Sequence, residues 1–214
     1  MNSKIIKYII IILLLPVVPL KATAQTGIYY STNGQLSSSL INQLYQDHRG
    51  FIWISTEFGL NKFDGTHFIH YKHIDNDSTS LINNHVRGVF EDSYRNLWIR
   101  CLGGLMLYHP ETDNFELIKI EGKEGRHVTN IMELHNGEVW GITTGDTIFR
   151  INLTQKVIEP IDEINRKLRL KSFSSIYEDT RRNLWFISET QGLLCFNPKS
   201  EEIQHFKYPD IPEN

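Results

Sequence analysis

The chain has 214 residues, 40% of them hydrophobic and 11% aromatic, which is enough apolar material for a real core and too much for a disordered chain. Its 22 basic and 25 acidic residues leave a formal charge of -3, and no basic footprint that would suit a nucleic acid or an anionic lipid surface. A neutral or cationic ligand is compatible with this charge but not demanded by it.

Residues 1–24 differ from everything after them. Lys4 and Lys7 give a basic start, Tyr8 to Leu20 forms an apolar run, and Ala22-Thr23-Ala24 offers small residues for cleavage before Gln25. This pattern predicts a secretory signal peptide. Thirteen apolar residues broken by Pro16 and Pro19 fall short of the roughly 20 that a spanning helix needs. Without the three lysines of this segment the body carries 19 basic and 25 acidic residues, a charge of -6. Residues 25–35 include Ile28-Tyr29-Tyr30, a candidate edge strand.

From residue 36 the chain repeats itself. The first repeat, 36–80, reads as four short strands: Leu40 to Gln46, Phe51 to Ser55, Leu60 to Phe63 and Phe68 to Lys72. The turn Asp47-His48-Arg49-Gly50 joins the first two, and Asp64-Gly65 makes a hairpin into the last. The other repeats are 81–125, 126–170 and 171–214. Their equivalent segments are EDSYRNLWIRCLGGL (Glu91 to Leu105), LHNGEVWGITTGD (Leu134 to Asp146) and EDTRRNLWFISETQGL (Glu178 to Leu193). All four tryptophans, Trp53, Trp98, Trp140 and Trp185, fall in the same slot, 45, 42 and 45 residues apart. A period of that size fits a two-helix solenoid unit or a four-stranded propeller blade. The aromatic and β-branched runs FIWIS, NLWIR, EVWGI and NLWFI, fenced by turn formers, favour strands buried on both faces, hence blades. Asp162 to Leu168 is the one stretch where a turn or two of helix is expected. The tryptophans are expected in the core between blades, each indole N–H needing only a nearby carbonyl. The turn glycines equivalent to that of the first repeat are Gly104, Gly145 and Gly192.

The order Asp-x-x-Gly/Asn, apolar-Trp, then Gly-Leu and an aromatic resembles the two-component regulator propeller repeat, found in periplasmic sensor regions of hybrid two-component systems of Bacteroidetes-type bacteria. QLSSSLINQLYQDHRGFIWISTEFGLNKFDG in the first repeat follows that pattern almost throughout; the third repeat departs, lacking the Asp. The resemblance implies a periplasmic propeller that senses a small glycan or another extracellular ligand and controls a histidine kinase across the inner membrane. Family rings have six to eight blades. Four blades would then be an incomplete ring, the chain a truncated piece attached to the membrane only through missing C-terminal parts, and its uncovered ends prone to self-association.

Chemistry-bearing motifs are scarce. Cys101 and Cys195 lie at different places in their repeats and read as buried thiols rather than a disulfide. His67, His70 and His73 alternate across a strand and cannot converge on one ion, and the Asp75-Asn76-Asp77-Ser78 loop lacks the Gly and Glu of a calcium loop, so neither a metal nor any other cofactor is expected. Phosphate loops, nucleophile elbows and zinc signatures are missing from the sequence. The leading expectation is therefore a ligand-binding module; a propeller enzyme acting on glycans and a protein-interaction scaffold are the alternatives. In a propeller the turns joining second to third strands open on the same side as the loops between blades. The candidate ligand residues there are Glu57, Phe58, Arg100, Thr144, Glu189 and Gln191, with Arg126 from an inter-blade loop.

Overall fold

The computed structural model describes residues 27, 29–33, 35–120, 127–145, 147–169 and 172–206. The expected signal peptide, Ile28 and Arg126 lie outside them. Tyr29 and Tyr30 belong to a separate unit, Met1–Tyr30, and form no strand.

Among the described residues sixteen strands follow one another as four antiparallel meanders. Blade 1 is β1 (Ile41–Gln46), β2 (Ile52–Thr56), β3 (Gly59–Phe63) and β4 (Phe68–Tyr71). Blade 2 is β5 (Val86–Glu91), β6 (Leu97–Cys101), β7 (Gly104–His109) and β8 (Asn114–Ile120). Blade 3 is β9 (Val128–Glu133), β10 (Val139–Thr143), β11 (Thr147–Asn152) and β12 (Val157–Pro160). After the helix α1 (Asp162–Leu168), blade 4 is β13 (Phe173–Glu178), β14 (Leu184–Ser188), β15 (Gly192–Phe196) and β16 (Ile203–Phe206). The first strands β1 and β5, and again β9 and β13, lie side by side, β9 also approaches β6, and a short parallel ladder joins β8 to β12 at the outer edge. The chain is an all-β propeller of four four-stranded blades, as the repeat predicts.

The core is three layers, each between two blades. Trp53, Leu60 and Tyr71 meet Val86, Val89, Ile99 and Met106 between blades 1 and 2. Trp98 and Leu105 meet Val128, Ile131 and Phe149 between blades 2 and 3, and Trp140 and Ile148 meet Ile176, Phe186 and Leu194 between blades 3 and 4. Trp53, Trp98 and Trp140 therefore pack onto the following blade, where burying about 150–250 Å² of ring is worth about 4–6 kcal/mol by area. The outer sheet faces carry the contrast. Leu44 on β1 is 63% exposed while its equivalents Val89 and Ile176 are buried, and Tyr177 on β13 is 61% exposed.

What holds Trp53, Trp98 and Trp185 is an aspartate, not the carbonyl expected. Asp47 Oδ1 accepts the amides of Arg49 and Phe51, both at 3.0 Å, and Oδ2 accepts Trp53 Nε1 at 2.9 Å. Asp92 does the same for Tyr94, Asn96 and Trp98, and Asp179 for Arg181, Asn183 and Trp185. A carboxylate offers two oxygens and so can serve turn and indole together, which one carbonyl cannot. Asp47 and Asp92 are buried and all of their bonds are short-range in sequence, so the repeat spells out its own lock. Blade 3 has Leu134 in this place, and Trp140 Nε1 turns to Glu138 Oε2 at 3.1 Å.

A second device joins blade to blade on the same side. The last residue of each following first strand is a glutamate that grips the residue after the turn Asp, or its Leu134 counterpart. Glu91 takes the amide and ring Nδ1 of His48, Glu133 the amide and hydroxyl of Ser93, and Glu178 the amide and Nδ1 of His135. Glu91 and Glu178 side chains are only 7% exposed. Between blades 1 and 2 the seam also buries Lys62, whose Nζ lies 3.0 Å from the Tyr108 hydroxyl and 4.5 Å from the Phe51 ring centroid. The Tyr71 and Tyr108 hydroxyls both donate to Asp113 beside it.

The helix sits where the sequence places it. Asp162 and Glu163 start it, Arg166 and Lys167 end it, matching its dipole, and Asn165 pins it to β11 through both Ile148 backbone groups. Cys101 and Cys195 are free, buried thiols, and burial pushes the Cys101 thiol up to about 12.

Replacing Asp92 with Ala leaves a buried indole N–H and two turn amides without partners, and should cost about 3 kcal/mol of stability by chemical denaturation. Glu138→Ala, beside a half-buried Trp140 that can turn to water, should cost less than about 1 kcal/mol in the same assay. The Trp185 indole bond holds the Asp179 carboxyl down from 3.8 to about 2. A carboxylate with a depressed folded pKa stabilises above its unfolded pKa and stops doing so as pH falls through the folded one. Unfolding midpoints should thus decline between pH 4 and 2, and Asp179→Asn should remove that part of the decline.

Candidate ligand-binding side

The meander puts two sets of connections on opposite sides of the blades. The turn side carries the Asp turns and the glutamate grips. On the other, the loop side, the β2–β3 type turns open together with the segments that lead from one blade to the next.

Each loop-side turn is closed in the same way. The amide after the second strand donates to the carbonyl just before the first: Glu57 to Leu40, Leu102 to His85, Thr144 to His127 and Glu189 to Ser172. Glu57, Thr144 and Glu189 are therefore equivalent positions, as expected of residues chosen from one place in the repeat. Phe58 stands beside Glu57 with its amide on Thr56 Oγ1 at 3.1 Å and its ring 58% exposed. In blade 4 the Ser188 hydroxyl receives the amides of Thr190 and Gln191. Glycine supplies the left-handed backbone here, at φ +135° in Gly59 and +103° in Gly103. In blade 2 Gly104 holds the ladder position of Gly59, as expected, opposite Cys101 where Gly59 faces Thr56, while the positive φ falls one residue earlier, on Gly103.

Arg100 is placed differently from the expectation. It lies within β6, not in the turn, opposite Gly88 of β5. Its Nη1 donates to the Thr129 carbonyl of blade 3, and its Nε is buried with no partner. A polar residue near a strand end reads as loop in sequence; here it spans the seam between two blades. Burial first, then the charge of Arg87, lowers the Arg100 pKa. Thr144 belongs to the same seam, its Oγ1 accepting the His127 amide at 3.1 Å, while Gly103 donates its amide to His127 Nδ1 at 2.6 Å. That bond keeps the ring proton off Nδ1, and burial with Arg87 and His85 nearby lowers the His127 pKa.

Arg87 belongs to a feature that composition does not announce. Every first strand has a β-bulge at its second residue: Asn42, Arg87, Thr129 and Ser174 are each skipped by the ladder to the second strand. A bulge re-aims its side chain, and bulges concentrate near binding sites. All four residues are polar, and all stand at the loop-side end of the innermost strands. Beside them, the segment from β4 to β5 encloses a hollow of about 340 Å³ lined by Ile74, Ser80, Leu81, Ile82, Met106 and Leu117. His73 bonds Leu81 O, His67 precedes β4 and His70 lies within it, and among the described residues no group of His, Cys, Asp and Glu could hold a metal.

Residues 35–58 match the family described as two component regulator propeller. That match falls on β1 and β2 of blade 1. Over 138 residues it is 30% identical to histidine kinase P4 of Formosa agariphila, covering 61% of this chain and 10% of that protein. The extracellular domain of BT4673 from B. thetaiotaomicron, described as a one-component or hybrid two-component system, aligns in two structures with TM-scores of 0.66 and 0.64. Identities are 22% and 21%, and each covers 78% of this chain and 25% of that one. A catalytically inactive virginiamycin B lyase from Staphylococcus aureus, in a structure with quinupristin, aligns with a TM-score of 0.58 at 18% identity over 85% of this chain and 59% of that one. At these identities the solved structures speak for the propeller fold. The chain spans a tenth of the curated relative and a quarter of the BT4673 extracellular domain.

Gly88 is where the arginine pair is most sensitive to the backbone. A Cβ there would press on the side-chain ends of both Gln43 and Arg100. Gly88→Ala should therefore cost only about 1 kcal/mol, because both ends are flexible, yet displace the Arg100 guanidinium. Denaturation midpoints and a crystal structure of the variant check the two halves of that expectation.

Proposed function

We propose that this propeller is the ligand-sensing part of an exported two-component sensor, that its ligand is carbohydrate-like, and that the output lies in a histidine kinase part of the same system. The observation that carries the reading is the division between the two sides. On the turn side the same atoms recur from blade to blade, as structural joints must. On the loop side the same position holds Glu57-Phe58, Leu102-Gly103, Thr144-Gly145 and Glu189-Thr190-Gln191, a different chemistry in each blade. A position whose side chain differs in every blade, presented at one end of a rigid scaffold, is where specificity resides. The 30% identity to a histidine kinase supports the signalling half of the proposal.

In this reading Phe58 stacks on an apolar sugar face, while Glu57, Glu189 and Gln191 bond its hydroxyls and Arg100 and Thr144 line the seam next to them. Residue Arg126 joins the set as a proposal from sequence. Changing Phe58, Arg100 and Glu189 together to Ala should weaken binding of the inducing oligosaccharide by the intact protein at least tenfold in calorimetry, with an unchanged melting temperature apart from the Arg100 contribution. Affinity equal to wild type would remove the assignment.

A further inference from the structure

Arg87, Arg100, His85 and His127 form a group of four basic side chains at the seam of blades 2 and 3. Arg87 acts electrostatically on both Arg100 and His127, and His85 on His127. The group that accepts from Arg100 is neutral, the Thr129 carbonyl from β9, and the residue that shares the space over Gly88 with it, Gln43 from β1, is neutral too. Among the described residues no carboxylate forms an ion pair with any of the four, although acids outnumber bases in the chain as a whole. The Nε atoms of Arg87 and of Arg100 are both buried and unpartnered. A buried guanidinium edge without an acceptor is costly, and two of them side by side more so. Elsewhere in this fold carboxylates satisfy such donors, in the Asp turns and the glutamate grips.

We propose that this seam is an anion subsite, taking a carboxylate or sulfate group carried by an oligosaccharide. Two features besides charge support it. Arg87 is the bulge residue of β5, released from the ladder and re-aimed, and the guanidinium fork matches the paired oxygens of either group in one plane. The site also lies at the loop side, next to the two turns that bear Gly103 and Thr144, on the side proposed to read the sugar. The inference rests on the ligand-sensing reading above and narrows its ligand to a charged sugar.

Calorimetry on the intact protein with three probes tests it: a trimer of galacturonic acid, a sulfated galactose trimer and a neutral galactose trimer. At least one charged trimer should bind ten or more times tighter than the neutral one, and which of them does so separates carboxylate from sulfate. Arg87→Gln and Arg100→Gln should each weaken that binding at least tenfold, while Lys199→Gln, on the turn side, should leave it unchanged. The Arg87 side chain makes no hydrogen bond among the described residues, so its variant should melt with the wild type even if Arg100→Gln does not. The inference fails if neither charged trimer binds, if the neutral trimer binds as well as they do, or if the Arg87 variant binds like the wild type. Tight binding of the neutral trimer that ignores both arginines would overturn the anion subsite and leave the sensing reading intact.

Discussion

A single carboxylate in each of three blades serves two masters that would otherwise pull apart. The turn between first and second strands needs acceptors for its amides, and the indole six residues further on needs one for its N–H, deep between sheets. Asp47, Asp92 and Asp179 place one oxygen on each. Turn shape and Trp rotamer are thereby fixed together, and with the Trp is fixed the layer that glues one blade to the next. In blades 2 and 4 a non-glycine takes the left-handed place of the turn, Arg95 and Arg182 at φ 71°, and the following Asn adds its own side-chain bond to the Asp. Extra bonding accompanies the residue that is less at ease there.

Blade 3 shows what is dispensable. It has lost the Asp, yet Gly137 keeps the turn, Glu138 takes the indole, and His135 and Glu133 keep both grips on the neighbours. Its sheet has also traded bulk across the ladder: Gly141 stands opposite Phe149 where blade 1 pairs Ile54 with Asn61. The total volume between the strands is what packing conserves, not the residue at either place.

Much of this was legible in the sequence, and the rest was hidden for identifiable reasons. The Trp spacing and the aromatic, β-branched runs gave blades, strands and α1 because those signals are local. The Asp was visible as a turn former, but its second task lies six residues away and across a sheet face, beyond turn chemistry. The glutamate grips join residues 40 to 43 positions apart, although a Glu directly before the Asp position in blades 2 to 4 was a usable hint. Bulges leave no mark in composition, since a skipped residue shows only once strands are paired; that hides Arg87, and Arg100, polar and near a strand end, reads as turn. Net charge misled most, because it averages a basic seam into an acidic surface.

The grips have one more consequence, for how such a chain grows. Repeats 2 and 3 each carry a donor just after the turn Asp position and an acceptor just before it, so each of these units brings both halves of a joint, one for the neighbour on either flank. A copied repeat inserted beside its parent would find its contacts ready on both sides, with no simultaneous change elsewhere. Lineages built this way can alter their number of units while the loop side of each drifts toward a new ligand.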